Sequence, residues 1–188
     1  MKVKRLTTPL EKGDVESLRC GDLVTISGRV ITARDKVYSR VISGEKPTID
    51  LRGGVIYHCG PLAKLTTQGW RIISAGPTTS ARMDSMQTDF IKLTGVRALI
   101  GKGGVGDKVA EDMAKLGCIY LAFTGGTGAL AASQVKKVEK IIWRELGPEA
   151  IWVLRVQDFG PMVVTVDTRG KNLFKRQNRP TDKIKNER

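Results

Sequence analysis

The sequence predicts a mixed α/β fold, a layered domain whose sheet is part parallel and part antiparallel, and three observations carry that prediction. Short continuous apolar runs that end near glycine, Val55-Ile56-Tyr57-His58-Cys59 and Ile119-Tyr120-Leu121-Ala122-Phe123, have the pattern of strands buried on both faces. Two further runs, Trp70 to Ala75 and Val96 to Ile100, each lead into a Gly-containing loop and then into apolar residues spaced three to four apart. Those residues are Met86, Phe90 and Leu93 after the first loop, and Val109, Met113 and Leu116 after the second, which reads as strand, loop and amphipathic helix twice over. Finally, Val138 to Trp143, Ala150 to Val156 and Met162 to Val166 are β-rich runs separated by Gly147-Pro148 and Gly160-Pro161, which suggests antiparallel strands.

In chain order, Val24 to Arg34 alternates apolar and polar residues and reads as a long half-buried strand that closes on the charged pair Arg34-Asp35, a position suited to a site. Trp143 and Trp152 fall inside strand-like runs and are expected in the core, and no internal repeat is visible. With 40% hydrophobic residues the chain can bury one sizeable core, so residues 1–170 are read as a single domain. Residues 171–188 hold seven basic and two acidic side chains with almost no apolar content, the composition of a disordered basic tail.

The net charge of +13 calls for an anionic partner or substrate without saying which. Nucleic acid is the first guess, and a basic RNA-binding module is the rival reading. Much of the excess sits in the tail, however, and 5% aromatic content is poor material for stacking bases. No apolar run is long enough to span a bilayer and no secretory signal is visible, so a cytoplasmic protein is expected. Cys20, Cys59 and Cys118 are far apart and odd in number, which suggests neither a disulfide framework nor a metal knuckle; buried or indifferent thiols are expected, with convergence of the three as cluster ligands as the alternative.

The stretch Gly76-Pro77-Thr78-Thr79-Ser80-Ala81-Arg82-Met83-Asp84 is followed, twenty residues after its arginine, by Gly101-Lys102-Gly103-Gly104-Val105-Gly106. Both are strand-to-helix loops in this reading. A helix N-terminus offers unpaired N–H groups and the positive end of its dipole, so a loop there needs only a nearby cation to hold a carboxylate or phosphate. Arg34 and Arg82 offer planar forks that grip a carboxylate by two parallel bonds, and Lys102 offers a point charge for a second carboxylate. Three cations at three strand ends fit a dicarboxylate, against the alternative of three surface charges. The second loop also approaches a phosphate-binding P-loop, but Asp107 stands where the P-loop lysine belongs and Val109 where the Mg²⁺-binding hydroxyl belongs. Thr78 and Thr79 alternatively read as helix-capping hydroxyls, Asp84 as a cap of its own helix, and His58, the one histidine, as a core or rim residue.

Taken together, Thr32-Ala33-Arg34-Asp35, Tyr57-His58-Cys59-Gly60-Pro61, the Gly76 to Asp84 and Gly101 to Gly104 segments, and Glu145-Leu146-Gly147-Pro148-Glu149-Ala150 resemble the β subunit of class I iron–sulphur fumarases and L-tartrate dehydratases. The match in order and spacing runs from about Val3 to Asn172. The resemblance implies the swivelling β/β/α domain, three layers deep, as the split form of a larger enzyme. It implies an α subunit that ligates a [4Fe-4S] cluster, a hetero-oligomer with α2β2 as one possibility, and a C4-dicarboxylate substrate.

The implied reaction is reversible hydration of fumarate to (S)-malate, with L-tartrate dehydration to oxaloacetate as runner-up. By motif, Thr78 is the proton-abstracting hydroxyl, Thr79 hydrogen-bonds substrate, and Arg34, Arg82 and Lys102 bind its carboxylates. A threonine alone is too weak a base, so an acidic residue of the α subunit is expected beside it. The family often carries histidine four residues after the clamp arginine; here that position is Tyr38.

Overall fold

Strand β2 (Leu23–Thr32) organises the architecture because it is paired along both edges. The computed structural model describes residues 2–175. On one side β2 carries β1 (Lys4–Thr7) and β3 (Val55–Tyr57), both parallel to it; the sheet then runs on through β6 (Ala98–Gly101) and β7 (Ile119–Ala122), also parallel. The long strand β9 (Ile151–Val166) pairs antiparallel with β7, with β8 (Val135–Ile142) and again with β2. Through β9 the sheet curls back on itself, so β2, β3, β6, β7 and β9 form a closed ring. This is the mixed parallel and antiparallel α/β arrangement that the sequence pattern implies.

Alternation along these strands sends successive residues to opposite faces and so builds two cores. One face carries Val30, Tyr57, Ile100, Leu121, Leu154 and Phe159. The other carries Ile31, Ile56, Leu99, Tyr120 and Val153, and is covered by α2 (Asp35–Ile42), α3 (Asp84–Thr94) and α4 (Asp107–Lys115) through Val37, Tyr38, Val41, Phe90, Ile91, Val109 and Met113. The Tyr38 and Phe90 rings stack with centroids 4.0 Å apart, which joins α2 to α3 and contributes about 0.5–1.5 kcal/mol beyond the area buried. Two short helices, α1 (Lys12–Glu16) and α5 (Gly128–Gln134), lie on the first core through Val15 and Ala131.

Several expectations need correction. The run from Trp70 is a strand, β5 (Gly69–Ser74), but it pairs with β4 (Leu62–Thr66) in a separate two-stranded hairpin and not with the main sheet. The two runs expected as strands on either side of Gly160-Pro161 are one strand, because register shifts against β2 and a left-handed Asp158 (φ 49°) absorb the irregularity. Trp152 is in the core, whereas Trp143 lies beyond the end of β8 at φ 57°, half-buried, with the Arg40 guanidinium 5.3 Å from its ring centroid. Leu93 is exposed; the apolar face of α3 is Phe90 and Ile91 with Gln87, since a 3₁₀ turn (Ser80–Met83) rotates the entry to the helix. Past Gly170 the chain stays on the domain as far as residue 175: Asn172 bridges Val166, and the Leu173 amide donates to the Thr165 carbonyl. The rest of the basic tail, residues 176–188, lies outside the described residues.

Candidate functional site

Strands β2, β3 and β6 are parallel neighbours, and the chain leaving their carboxyl ends carries Ala33-Arg34, His58-Cys59-Gly60 and Lys102 to one edge of the sheet. At this edge the loops are free of the ladder, and the helices that follow β2 and β6, α2 and α4, begin there. Arg34 stands at the N-cap of α2 in extended conformation. Its side chain is only 20% exposed, with Nη2 at 3.7 Å from the Glu149 carboxylate and Nε buried with no hydrogen-bond partner among the described residues. A Cβ at Gly60 would come within 2.7 Å of Arg34 Nη1, so glycine at that position is what admits the guanidinium.

The hairpin β4–β5 departs just after β3 and returns to the same place. At its root the Thr78 amide donates to the His58 carbonyl (2.7 Å), and the Tyr57 hydroxyl donates to the Ala75 carbonyl (2.5 Å). The returning loop is then laid along the residue that follows β6. Lys102 donates its amide to the Thr78 carbonyl (3.0 Å), the Ser80 amide donates to the Lys102 carbonyl (3.2 Å), and Thr79 and Lys102 form a parallel bridge. Thr79 and Lys102 are exposed and Thr78 is half-buried. Thr79 precedes the 3₁₀ turn without a side-chain capping bond, so its hydroxyl is not used as a cap. Arg82, at the end of that turn, reaches the Asp35 carboxylate (3.2 Å), next in sequence to Arg34. All of the expected site residues, Arg34, Thr78, Thr79, Arg82 and Lys102, thus belong to one cluster tied by backbone and ion-pair contacts. Lys102 makes no ion pair among the described residues.

Beneath the loop is a buried polar chain that the sequence reading did not identify. Tyr38 Oη lies 2.8 Å from His58 Nε2, His58 Nδ1 lies 2.7 Å from Ser80 Oγ, and the Tyr120 hydroxyl lies 2.7 Å from the same Ser80 oxygen. Gln87 Nε2 donates to the Ser80 carbonyl (2.9 Å) and to Asp84 Oδ1 (2.8 Å). Tyr38, His58, Ser80 and Gln87 are wholly buried, and Tyr38 is a core residue of α2 where the resemblance left its role open. A buried polar group left unpaired costs about 1–3 kcal/mol, which the bonds along the chain avoid for the Tyr38, His58, Ser80 and Tyr120 groups, while Gln87 Oε1 is buried without a partner among the described residues.

Burial holds the His58 ring neutral, lowering its pKa from 6.5 to about 3; the Asp35 charge opposes this weakly. Between those values the unfolded chain takes up a proton that the folded chain refuses, so this contribution to stability is full above pH 6.5 and is lost as pH falls toward 3. Urea denaturation at pH 7 and pH 4.5 is expected to show lower stability at the acid pH, with a smaller loss in His58→Asn.

The second glycine-rich loop is not a phosphate cradle. The Phe174 ring covers Gly104, and the Asp107 carboxylate accepts a bond from Asn172 Nδ2 (3.1 Å). Asp84 does not cap its own helix. It accepts the Gly106 amide (2.8 Å) at the start of α4, and burial pushes its carboxyl up while that bond opposes the shift. Cys59 and Cys118 are buried and Cys20 is partly so, and burial raises all three thiols. Among the described residues no three His, Cys, Asp or Glu side chains group to hold a metal ion. No helix is long and apolar enough to cross a membrane, again among the described residues.

Clefts of about 610 Å³ between β5 and β8 and about 1070 Å³ beside β1 contain none of the clustered residues. Thr79, Arg82 and Lys102 are exposed and Arg34 and Thr78 half-buried, so in this chain the cluster faces solvent.

Comparison with known proteins identifies relatives over nearly the whole chain. The chain is 42% identical over 173 residues to the L(+)-tartrate dehydratase subunit beta of Escherichia coli, covering 91% of this chain and 86% of that one. It is 42% identical over 176 residues to a putative L(+)-tartrate dehydratase subunit beta of Methanocaldococcus jannaschii, with 90% of each covered. It is 39% identical over 174 residues to a putative fumarate hydratase class I of Geobacillus stearothermophilus, covering 92% of this chain and 34% of that longer one. Residues 1–177 match the family model described as Fumarase C-terminus, and the chain belongs to that family.

Proposed function

We propose that this chain is the β subunit of a heteromeric hydro-lyase that interconverts fumarate and (S)-malate. The observation that carries the reading is the backbone bridge between Thr79 and Lys102, which joins the Thr78-Thr79 loop to the end of β6, next to β3 and β2 whose ends carry His58 and Arg34. Arg34, Arg82 and Lys102 would take the two carboxylates, and Thr79 would hydrogen-bond the substrate. In the dehydration direction the C3 proton passes to the Thr78 oxygen as the Thr78 hydroxyl gives its own proton to a carboxylate of the α subunit; the double bond forms as the C2–O bond breaks, and the departing hydroxide takes up one proton to leave as water, so one proton is removed and one returned.

The [4Fe-4S] cluster implied by the resemblance finds no ligand set among the described residues, since the thiols are buried apart from one another. We assign the cluster to the α subunit. The open face supports the same division, because carboxylate recognition gains strength where water is excluded and this chain alone does not exclude it. The swivelling β/β/α fold name, a cytoplasmic location and an α2β2 assembly belong to this proposal; the mixed sheet with its three longer helices over one face supports the first, and three free thiols support the second.

The second reading, dehydration of L-tartrate to oxaloacetate, is favoured by the 42% identity to the tartrate dehydratase β subunits. Tartrate brings an extra hydroxyl at C3. The hydrogen-bond partners of that hydroxyl would come mainly from the α subunit, so the choice between the two acids rests with the complex. Assays of the complex reconstituted with its α subunit, on fumarate, malate and L-tartrate, decide between them. The isolated chain is expected to be inactive, and turnover of none of the three acids by the complex would sink the hydro-lyase reading. In the active complex Lys102→Gln is expected to raise KM by about 10- to 100-fold, the loss of one charge-assisted bond, with a smaller change in kcat.

A further inference from the structure

We propose that His58 is the positioning residue of the Thr78–Ser80 loop: its carbonyl fastens one end of the loop and its ring fastens the other. The carbonyl takes the Thr78 amide at 2.7 Å, and Nδ1 meets the Ser80 hydroxyl at 2.7 Å. Between these two holds stands Thr79, exposed and bridged to Lys102. One residue, through its carbonyl and its ring, therefore holds both ends of the segment that carries the Thr78 and Thr79 hydroxyls.

The ring cannot swing to another partner. Its second nitrogen is occupied by the Tyr38 hydroxyl at 2.8 Å, and Tyr38 is itself locked by stacking on Phe90. Ser80 is equally constrained, by Tyr120 at its hydroxyl and Gln87 at its carbonyl. The Ser80 hydroxyl occupies the space a Cβ would fill at Gly101, so it sits directly on β6, the strand that delivers Lys102. A shift of the loop breaks several bonds among fully buried groups together, and this couples site geometry to the ring. None of these groups touches the open face, so the role is positional and not catalytic.

The effect on turnover rests on the hydro-lyase reading; the effect on the loop does not. An amide side chain on Asn reaches the place of Nδ1, while that of Gln reaches the place of Nε2. In the reconstituted complex His58→Gln is expected to lower kcat about 10- to 100-fold with KM within about threefold, the scale of a misplaced reacting group. His58→Asn, which keeps the link to Ser80, should stay within about fivefold of the parent.

Independently of activity, hydrogen exchange of the Thr78, Ser80 and Lys102 amides in the full chain should accelerate in His58→Gln and not in His58→Asn, with the β7 and β9 amides unchanged. Ser80→Ala, which deletes one atom, should reproduce the His58→Gln result and serves if that variant does not fold. Equal behaviour of the Asn and Gln variants, or unaltered exchange at the three amides in both His58→Gln and Ser80→Ala, overturns the proposal. A parent complex inactive on all three acids overturns the hydro-lyase reading alone, and the exchange measurement then decides the role of His58.

Discussion

Thr78→Ala is expected to lower hydro-lyase turnover of the reconstituted complex by about 10²- to 10⁴-fold, the range for removal of a proton-transferring group. The loss should appear in kcat with KM little changed, because the carboxylate-binding cations are untouched. Folding should survive: Thr78 is half-buried, and both of the bonds that hold it in place come from its backbone, which alanine retains. Ser85→Ala, an exposed position on the first turn of α3, serves as the control and should keep parental kinetics. If Thr78→Ala retains activity within tenfold of Ser85→Ala, the hydroxyl is not the proton carrier.

The second large effect is expected at Gly101. A methyl group there would overlap the Ser80 hydroxyl and stand 2.9 Å from the Tyr120 hydroxyl and 3.0 Å from His58 Nδ1. No member of that set can yield freely, since each is fixed by the others. Gly101→Ala should therefore destabilise the chain by about 1–3 kcal/mol through overpacking, and by more if it leaves a buried polar group unpaired. Urea denaturation measures the first effect. Activity should fall further than the stability loss explains, because the strain is released into the loop that carries Thr78. A Gly103→Ala variant, with no atom within 4 Å of its Cβ but a left-handed backbone (φ 73°), should show a comparable strain cost without the collision at Ser80.

The sequence shows the cations and the hydroxyls more clearly than it shows what holds them. Arg34-Asp35 is legible because the alternation of β2 stops there, and Lys102 because a buried strand ends at Gly101. Arg82 is legible as a residue but not as a position: the strand before it belongs to a hairpin, and only the return of that hairpin to the end of β3 brings the arginine to Asp35. Local pattern does not report such closures.

Asp84 and the buried chain fail for a related reason. A carboxylate at a helix start reads as its own cap, yet Asp84 serves a different helix; His58 is a core residue as the sequence suggests, but its bond to Ser80 spans 22 residues and has no local signal. The Gly160-Pro161 pair misleads in the opposite sense. It has the signature of a strand end, but pairing with β2 on one side and with β7 and β8 on the other carries the strand through it. Helix α2 goes unread because its apolar side chains, Val37, Tyr38 and Val41, are interleaved with Lys36, Ser39 and Arg40 directly after a site motif.

The arms of the β4–β5 ribbon are fastened where they leave and rejoin the body, by the Tyr57 hydroxyl on Ala75 and the His58 carbonyl on Thr78. Motion or added length at its far end, around Thr67 and Gln68, is decoupled from the chemistry by those two ties. The tip is thus a place where the chain can acquire an epitope, a spacer or a contact with a neighbour while the distance between His58 and Thr78 stays as it is.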